Sequence, residues 1–416
     1  MKNKIQFCVR CLYSSEHPLN ITFNDEGICS GCQIHEEKDM LNWKDRLAKL
    51  KKIVKEYKSK KANYDCIVPI TGANDSYYIL HLVINVLNLN PLLVHYNSYF
   101  NTQLGIKNLA NLRIKFNRDI IIKNVNPVKV KKITKNSLIN MQSMYWHVLA
   151  GQTVFPVQTS IEYKIPLIIW GAHQGIEQVG MFSYTQEVEM TRRYRKNHDL
   201  MGYEAEDLLK SYQDLEEEDV YEYFYPSFDK LLNIGTRGIY LNNYFRWDPK
   251  WQHEKMIKLY NYQTANLNRT FDTYDYSHCY NYMDIHDYIK LCKHGYSKVT
   301  DHASREIRFG RISREKALKL VKKYEVREMK FSQLFCNWLG IKEKSLNYLL
   351  NRFRNPNYWE RTDALKYKEN LLSSKIKINK EKSKIKNKAN FINTNTINLN
   401  TIPNYIIFGK GYDNNR

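Results

Sequence analysis

The chain has 416 residues, of which 43% are hydrophobic and 26% charged. This composition excludes a disordered or fibrous protein and predicts a globular one with two or three structural units. The formal net charge of +21 suits anionic partners such as nucleotides, phosphorylated sugars, nucleic acid or a membrane surface, although the bias toward lysine, asparagine and isoleucine weakens that indication.

The N-terminal segment contains no signal-like apolar stretch before Cys8, and no apolar run in the chain approaches the roughly 18 residues of a membrane span. We therefore predict a cytoplasmic protein without a membrane span. The first element is a turn-rich unit with two Cys-x-x-Cys pairs separated by 17 residues. Two such turns can place four thiolates at the corners of a tetrahedron, which predicts a closed, structural Zn²⁺ site. The alternative is four reduced cysteines without metal.

The candidate zinc ligands are Cys8, Cys11, Cys29 and Cys32. The other cysteines lack this spacing and are expected to be buried small hydrophobic residues: Cys66, Cys279, Cys292 and Cys336.

An amphipathic helix is predicted over residues 38–60, where apolar residues from Trp43 to Tyr57 recur at spacings of 4, 3, 4 and 3. From residue 64 onward, short apolar runs alternate with helical periodicity. The predicted strands are 65–70, 91–96, 119–125 and 166–170, and the predicted helices include 77–87, 105–116 and a stretch that ends near 163. This alternation predicts an α/β fold, a parallel sheet with helices on both faces.

The sequence predicts four units. They are a four-cysteine zinc ribbon over 1–36, an α/β domain over 37–200, a mostly helical region over 201–363, and a basic low-complexity tail over 364–416. The acidic stretch at 200–225 is expected to be a solvated helix face. Residues 373–400, which are rich in lysine, isoleucine and asparagine, are expected to be a mobile tail.

The loop at 71–76 directly follows a predicted strand and opens a helix. Its small residues can turn successive backbone N–H groups toward an anion, and the hydroxyls of Thr71 and Ser76 can donate to phosphate oxygens. The carboxylate of Asp75 indicates either a Mg²⁺ ion that bridges to pyrophosphate or helix capping. An ordinary capped turn explains the hexapeptide equally well. The loops at 95–102 and 171–178 would meet it beyond the carboxyl ends of the strands, where such sheets bind ligands.

Residues 70–76 resemble the PP-loop, Ser-Gly-Gly-x-Asp-Ser, of the adenine nucleotide alpha-hydrolase superfamily, whose members split ATP between the alpha and beta phosphates. Longer stretches resemble one branch, the N-acetyl sugar amidotransferases of surface-polysaccharide biosynthesis. These stretches are 101–105 (NTQLG), 155–158 (FPVQ), 165–171 (IPLIIWG), 246–250 (RWDPK) and 293–302 (KHGYSKVTDH). The leading four-cysteine unit also fits, and the resemblance spans about residues 7–360.

The loop departs from the PP-loop pattern at three positions. Thr71 replaces Ser and keeps the hydroxyl, whereas Ala73 replaces the second Gly and restricts positive φ. Asn74 stands where many relatives have Lys, so one phosphate cation is absent. Weakened or altered use of ATP therefore remains open.

The resemblance implies conversion of an acetamido group on a nucleotide-linked sugar into an acetamidino group, in the biosynthesis of a lipopolysaccharide O-antigen or a nonulosonate glycan. The amide oxygen would attack the alpha phosphorus of ATP with Mg²⁺, and ammonia would then displace AMP from the adenylylated imidate. No glutaminase signature is visible, so ammonia is expected from a separate class I glutamine amidotransferase, as in the family.

The predicted site residues follow from this mechanism. Asp75, Ser76 and His173 are the predicted catalytic residues, with His173 managing protons during the attack of ammonia, although a structural hydrogen bond in a loop would explain His173 equally well. The predicted ATP-binding residues are Thr71, Gly72, Ala73, Asn74, Ser76, His95, Tyr96, Asn97 and Gly171. The predicted substrate-binding residues are Gln174, Glu177, Lys298, His302, Arg305 and Arg308.

Two features of the later region have competing explanations. The arginines at 305, 308, 311 and 314 could hold the phosphates of a nucleotide sugar, or could pair with Glu306, Glu315 and the acidic stretch at 204–222. Tyr240, Tyr244 and Trp247 could stack on a sugar or base, or could simply fill the core.

Two other functions compete with the amidotransferase. A PP-loop enzyme that modifies RNA would also suit a zinc ribbon and a basic chain, but thiolation members generally need a cysteine pair near the later strands, and Cys279 and Cys292 are isolated. Nucleic acid is therefore not the partner we expect. The third hypothesis is a non-catalytic scaffold whose altered loop no longer cleaves ATP.

Overall fold

A five-stranded parallel sheet forms the centre of the computed structural model, which describes residues 5–60, 63–212, 214–274, 281–326, 328–364, 366–386 and 391. The strand order is β3-β2-β1-β4-β5. The strands are β1 (Cys66–Pro69), β2 (Pro91–Tyr96), β3 (Ile120–Lys123), β4 (Leu167–Trp170) and β5 (Arg237–Tyr240). The four strands predicted from the sequence are confirmed, and so is the α/β fold class.

Successive residues of the strands face two different cores, as the two-residue period of a strand requires. In β1, Cys66 and Val68 pack with helices on one face of the sheet, and Ile67 packs with helices on the other. Both faces are therefore covered, which is why β1 and β4 are continuous apolar runs. The chain order reverses beside β1, whose neighbours are β2 and β4, and such a switch point opens a crevice at the carboxyl ends of the strands.

Helices cover the sheet and continue beyond it. They are α1 (Ser30–Met40), α2 (Trp43–Tyr57), α3 (Asn74–Leu80), α4 (Gln103–Phe116), α5 (Pro127–Met141), α6 (Trp146–Tyr163), α7 (Arg192–Tyr194), α8 (Ala205–Ser211), α9 (Glu217–Val220), α10 (Phe228–Ile234), α11 (Pro249–Tyr260), α12 (Met283–His294), α13 (Lys298–Arg308), α14 (Arg314–Tyr324), α15 (Ser332–Leu339), α16 (Glu343–Phe353), α17 (Leu372–Lys375) and α18 (Lys380–Ser383). A hairpin of β6 (Trp359–Asp363) and β7 (Lys366–Glu369) lies near the end. Among the residues that the structure describes, no helix has the length and apolarity to cross a bilayer.

The predicted helix at 38–60 is two helices. The chain is extended at Leu41 and Asn42, and the Asn42 side chain accepts hydrogen bonds from the N–H groups of Lys44 and Asp45, so α2 starts at Trp43. Leu50 and Val54 in the predicted apolar stripe are buried against the sheet. The helix predicted at 77–87 begins earlier, at Asn74, and passes into a π-helical segment over His81–Val86.

The fifth strand lies in the region that was expected to be helical. Gly235 has a φ of 70° and ends α10, after which β5 pairs in parallel with β4. Its four residues include a glycine, Gly238, so the run is too short and too weak in β-propensity to be recognised from the sequence. The boundary at residue 200 stays a prediction, but the sheet takes its last strand from beyond it.

Part of the predicted mobile tail packs against the body of the protein. Ile376 is buried in a cluster with α13 and α14, and the Arg10 side chain donates a hydrogen bond of 2.6 Å to the carbonyl of Ile385. For residues 373–386 the prediction of a mobile tail is therefore wrong, because isoleucines between the lysines supply an apolar face. The rest of the predicted tail, apart from Phe391, lies outside the described residues.

The acidic stretch is exposed at Glu216, Glu217 and Glu218, as expected. However, Asp219 is buried and forms an ion pair of 2.5 Å with Lys132. Three of the unpaired cysteines, at positions 66, 292 and 336, are buried as predicted, and Cys279 lies outside the described residues.

Candidate active site

A cavity of about 260 Å³ opens at the carboxyl edge of the sheet, and we call it the main cavity. Among the segments that line it are four that are far apart in the sequence: the loop after β1, the loop after β4, helix α1 and helix α13. Their lining side chains include Thr71, Ala73, Asn74, Asp75, Ala172, Gln174, Glu177, His35, Lys38, Lys298, His302, Arg305 and Arg308. The structure thus brings together most of the residues that the sequence analysis assigned to catalysis and substrate binding.

A second cavity of about 170 Å³ lies between the ends of the strands, and we call it the strand-end cavity. Val94 and Tyr96 of β2, Trp170 of β4 and Gly171 lie in its wall. The two cavities adjoin, because four residues line both of them. These shared residues are Thr71, Asp75, Gln152 and Ala172.

The loop at 71–76 has the compact shape that its small residues predict. Gly72 has a φ of +81°, and a Cβ atom built on it would lie 3.1 Å from Cβ of Leu109, so both backbone conformation and space favour glycine here. Ser76 is buried, and its hydroxyl accepts a hydrogen bond of 3.0 Å from the N–H of Thr71. Ala73 has a φ of −73°, an ordinary extended conformation, so replacement of the second PP-loop glycine introduces no backbone strain.

Three residues at the end of β2 were predicted to contact adenosine, and only one of them lies in a cavity wall. Tyr96 lines the strand-end cavity, and its hydroxyl lies 2.8 Å from that of Tyr223. His95 instead bonds through Nδ1 to the carbonyl oxygen of Ile70, at 2.9 Å, and lines neither cavity. Asn97, which donates to the side chain of Asn124, also lines neither. His95 and Asn97 thus form hydrogen bonds within the protein at the end of β2 and do not line the cavities.

His173 lies outside both cavities, contrary to the expectation that it handles protons at the reacting amide. Its ring packs against Phe182, Tyr194 and Tyr240 with centroid distances of 5.5, 4.3 and 4.7 Å. Burial lowers the pKa of His173 to about 3, and neither ring nitrogen has a hydrogen-bond partner within the described part of the chain. The sequence could not reveal this, because the aromatic residues around His173 come from three separate segments.

Glu177 belongs to a buried polar cluster in the wall of the main cavity. Its carboxylate lies 2.5 Å from Nζ of Lys38 and accepts hydrogen bonds from the hydroxyl of Tyr184, at 2.5 Å, and the amide of Asn242, at 3.0 Å. Lys38 also donates to the carbonyl of Trp247, at 3.1 Å. Burial lowers the pKa of Lys38, and the charge of Glu177 opposes that shift. A buried charge pair in the wall of a cavity is a typical feature of a functional site.

The sequence analysis missed several lining residues of the main cavity, among them His35, Lys38, Gln152, Gln252 and Phe309. Lys38 and His35 look like ordinary polar positions on a surface helix, and no local pattern marks them. They face the cavity only because the loop after β4 packs on α1.

The four predicted substrate-binding residues of α13, Lys298, His302, Arg305 and Arg308, all line the main cavity. The alternative of internal ion pairing also holds in part, since Arg305 lies 2.5 Å from Asp272 and 2.9 Å from Glu306. Arg311 pairs with Asp248 and Glu306. Glu315 instead pairs with Lys319 at 3.3 Å.

The aromatic residues of the later region divide between cavity wall and core. Tyr240 lines the strand-end cavity and Trp247 lines the main cavity, whereas Tyr244 is fully buried in the core beside the sheet. None of the described cysteines lines either cavity. Within the described part of the chain, therefore, no pair of cysteines lies at the site.

The four predicted zinc ligands are buried and close together. Their sulfur atoms all lie within 4.8 Å of one another, with 3.9 Å between Cys8 and Cys32 and 3.5 Å between Cys11 and Cys29. A tetrahedral zinc site with Zn–S bonds of about 2.3 Å has sulfur–sulfur edges of about 3.8 Å, so the cluster fits this ion. The four thiolates would fill the coordination shell and leave no position for water, so the role of such a metal would be structural.

In comparisons with known proteins, the C-terminal part of the chain matches a family model. Residues 268–372, about a quarter of the chain, match the family model described as "LPS biosynthesis protein WbpG-like, C-terminal domain". This segment contains α13 and its four cavity residues. No curated protein gives a significant match.

One solved structure that matches is the NH3-dependent NAD synthetase from Campylobacter jejuni subsp. jejuni NCTC 11168 in complex with the nitrate ion. It shares 11% identity, the match covers 47% of this chain and 92% of that chain, and the TM-score is 0.28. The fold assignment rests on the strand order and not on this likeness. The segment that supplies the basic wall of the main cavity is thus similar to the C-terminal domain of a lipopolysaccharide biosynthesis family.

Proposed function

We propose that this protein is an ATP-dependent amidotransferase that converts an acetamido group of a nucleotide-activated sugar into an acetamidino group, in the biosynthesis of a surface polysaccharide. The observation that supports this most is that two adjoining cavities share Thr71 and Asp75 of the loop after β1. A reaction that joins two substrates at a phosphorus atom needs such a junction, with one substrate on each side. The match to a lipopolysaccharide biosynthesis family favours this class of pathway.

ATP would occupy the smaller side. The adenosine would lie in the strand-end cavity against Tyr96 and Gly171, and the phosphates would follow the loop over Gly72, Ala73 and Asn74. Thr71 and Ser76 would contribute hydroxyl groups to the phosphate site. Asp75 lines both cavities and is the carboxylate that would hold Mg²⁺, which would neutralise charge on the phosphates.

The nucleotide sugar would occupy the main cavity. Lys298, Arg305 and Arg308 place positive charge on one helix at the wall opposite the loop, which suits a diphosphate, and His302 lies on the same helix beside them. The acetamido group would then point toward Thr71 and Asp75. Alignment of the amide oxygen with the alpha phosphorus is the main task of such a site, because a poor nucleophile reacts only when it is well placed.

The first step forms a bond between the amide oxygen and the alpha phosphorus and releases pyrophosphate. The second step adds ammonia to the imidate carbon and releases AMP, and one proton leaves the nitrogen. Gln174 and Glu177 lie in the wall where the loop after β4 meets the main cavity, and Glu177 is the carboxylate that could accept a hydrogen bond from the incoming ammonia. The source of ammonia would be a separate class I glutamine amidotransferase.

The test is to incubate the protein with ATP, Mg²⁺, ammonium and a panel of nucleotide-linked N-acetyl sugars and to analyse the products by mass spectrometry. We expect one sugar to exchange oxygen for NH while AMP and pyrophosphate form in equal amounts. Asp75→Asn should abolish this reaction, whereas Asp229→Asn, an exposed position on α10, should not. Formation of ADP, cleavage stimulated only by RNA, or no change in any sugar would contradict the proposal.

A further inference from the structure

The four-cysteine unit lies directly against the main cavity and not at the edge of the fold. Cys32 is in the first turn of α1, and the same helix carries His35 and Lys38, which line the main cavity. Any ion that holds Cys32 therefore also fixes the start of a helix that forms the cavity wall.

Arg308 connects the same unit to the cavity from the other side. Its guanidinium donates to the carbonyl of Gln178, at 2.7 Å, and lies 3.8 Å from the sulfur of Cys29. It also lies over the ring of Tyr13, 5.1 Å from its centroid. The Nε atom of Arg308 is buried and has no hydrogen-bond partner among the residues described.

Close packing leaves this arrangement little freedom. A Cβ atom built on Gly31, between the cysteines of the second pair, would lie 2.3 Å from a guanidinium nitrogen of Arg308 and 2.8 Å from the carbonyl oxygen of Gln178. On the facing loop, a Cβ atom on Gly180 would lie 2.4 Å from the carbonyl oxygen of Ser30. The hydroxyl of Ser30 donates to the carbonyl of Val179, at 2.7 Å. The cysteine unit and the loop after β4 are thus in close backbone contact, and the guanidinium of Arg308 contacts both of them.

We propose that the four-cysteine metal centre positions Arg308 and α1 for substrate binding, so that metal occupancy and binding of a nucleoside diphosphate in the main cavity are thermodynamically linked. This inference rests on the proposed function for the chemical class of the ligand. Arg308 is the connecting residue, because its rigid, planar guanidinium group contacts both the cysteine unit and the loop after β4. Linkage is reciprocal: a ligand that needs Arg308 in place must also raise the affinity for the metal that holds it, and we expect this to show as slower loss of the metal.

The experiment measures how fast zinc passes from the loaded full-length protein to an excess of a coloured chelator, with and without UDP. GDP, CDP and dTDP serve as further probes. We expect at least one of these nucleotides to slow zinc release roughly fivefold or more, and removal of zinc to weaken binding of the same nucleotide.

Variants of two arginines separate this linkage from a general effect on the cysteine unit. Arg308→Met, and the milder Arg308→Lys, should lose the effect of the nucleotide on zinc release. Arg314 donates to the carbonyls of Cys8 and Cys11 but does not line the main cavity, so Arg314→Met should release zinc faster and still respond to the nucleotide.

An equal nucleotide effect in the wild-type protein and in both Arg308 variants would overturn the inference, as would the absence of any effect with all four nucleotides. The experiment needs no turnover. Amidation without linkage would therefore reject this inference alone, and linkage without AMP formation would reject the proposed function alone.

Discussion

The two walls of the main cavity are built in different ways. The wall on the sheet side consists of the loops after β1 and β4, whose residues directly follow strands and are mostly small or uncharged. The opposite wall consists of α1 and α13, which are more than 250 residues apart in the chain and contribute basic side chains. The topology of a parallel sheet is enough to create the first wall, whereas the second depends on long-range packing around the cysteine unit.

This difference suggests a division of labour. Loops at the carboxyl ends of parallel strands bind phosphates in many unrelated enzymes, so the sheet wall indicates the type of chemistry. The basic wall carries the charged groups that would hold the diphosphate of the sugar nucleotide. Substitutions on the sheet wall should therefore affect the chemical step most, and those on the helical wall should affect substrate affinity.

The largest expected effect comes from Gly72→Ala. A residue with a side chain is disfavoured by about 1–2 kcal/mol at this positive φ, and its Cβ atom would press on Leu109 and shift the loop. We expect AMP formation to fall by about 100-fold, because small displacements at a reacting centre have effects of this size.

Gly202→Ala is the matched control for this variant. Gly202 has a φ of +91°, and no atom lies within 4 Å of the position that a Cβ would take there, so alanine has the same backbone strain in open space. Gly72→Ala should lose at least as much stability in urea unfolding as Gly202→Ala, because it adds the contact with Leu109 to the backbone strain, but only Gly72→Ala should lose activity. Equal activity in the two variants would show that the loop after β1 does not bind the reacting phosphates.

The second effect concerns the ion pair between Glu177 and Lys38. Glu177→Gln leaves a buried ammonium group without its partner, which should lower the free energy of unfolding by about 3–5 kcal/mol. The double variant Lys38→Met/Glu177→Gln should recover much of that loss, because no unpaired charge remains. Urea unfolding and AMP formation should be measured on all three proteins. If the double variant also recovers activity, the pair has a structural role and no part in the reaction.

A smaller effect is expected at Lys298 on the helical wall. Lys298→Met removes a charged donor from the proposed diphosphate site, so KM for the nucleotide sugar should rise about tenfold while KM for ATP stays the same. Lys316→Met, at an exposed position of the neighbouring helix, should change neither constant. Steady-state kinetics with each substrate varied in turn would check this. A rise in KM for ATP alone would place the nucleotide sugar elsewhere.

The smallest effect is on the pH dependence of stability and involves His173. Burial lowers the pKa of His173 from 6.5 to about 3, so below pH 6.5 the unfolded chain binds a proton that the folded protein does not. Stability should therefore fall as the pH drops from 6.5 toward 3. His173→Leu should reduce this slope by up to one proton, about 1.4 kcal/mol per pH unit.

Urea unfolding between pH 7 and 5 would measure the slope. Burial also lowers the pKa values of His17 and His147 to about 3, so part of the pH dependence of stability should remain in His173→Leu. Phe182 packs against the ring of His173, so Phe182→Leu should lower stability at every pH and leave the slope of stability against pH unchanged. An unchanged slope in His173→Leu would mean that His173 is protonated in the folded protein.

The sequence was sufficient for the parts of the site that are local. Strands β1 and β4, which end at the cavities, are apolar runs followed by turns, and both were predicted from the sequence. The topology of a parallel sheet was therefore enough to place the loop at 71–76 beside the loop after residue 170. The cysteine spacing likewise predicted a cluster that the structure forms. Such features depend on neighbours within a few residues.

The parts that the sequence could not predict depend on distant partners. Lys38 is buried only because Glu177 and the carbonyl of Trp247 surround it, and nothing near residue 38 indicates this. His173 looked catalytic because it follows a strand, but the aromatic rings from three other segments enclose it. Strand β5 was missed because parallel pairing with β4, and not its own composition, makes it a strand.

The most direct test of the account follows the oxygen atom of the acetamido group. A nucleotide sugar labelled with ¹⁸O at that oxygen should be incubated with ATP, Mg²⁺, ammonium and the protein, and the products analysed by mass spectrometry. Attack of the amide oxygen on the alpha phosphorus predicts that the label appears in AMP and that pyrophosphate is unlabelled. Label that stays in the sugar, or that appears in pyrophosphate or inorganic phosphate, would contradict the proposed reaction.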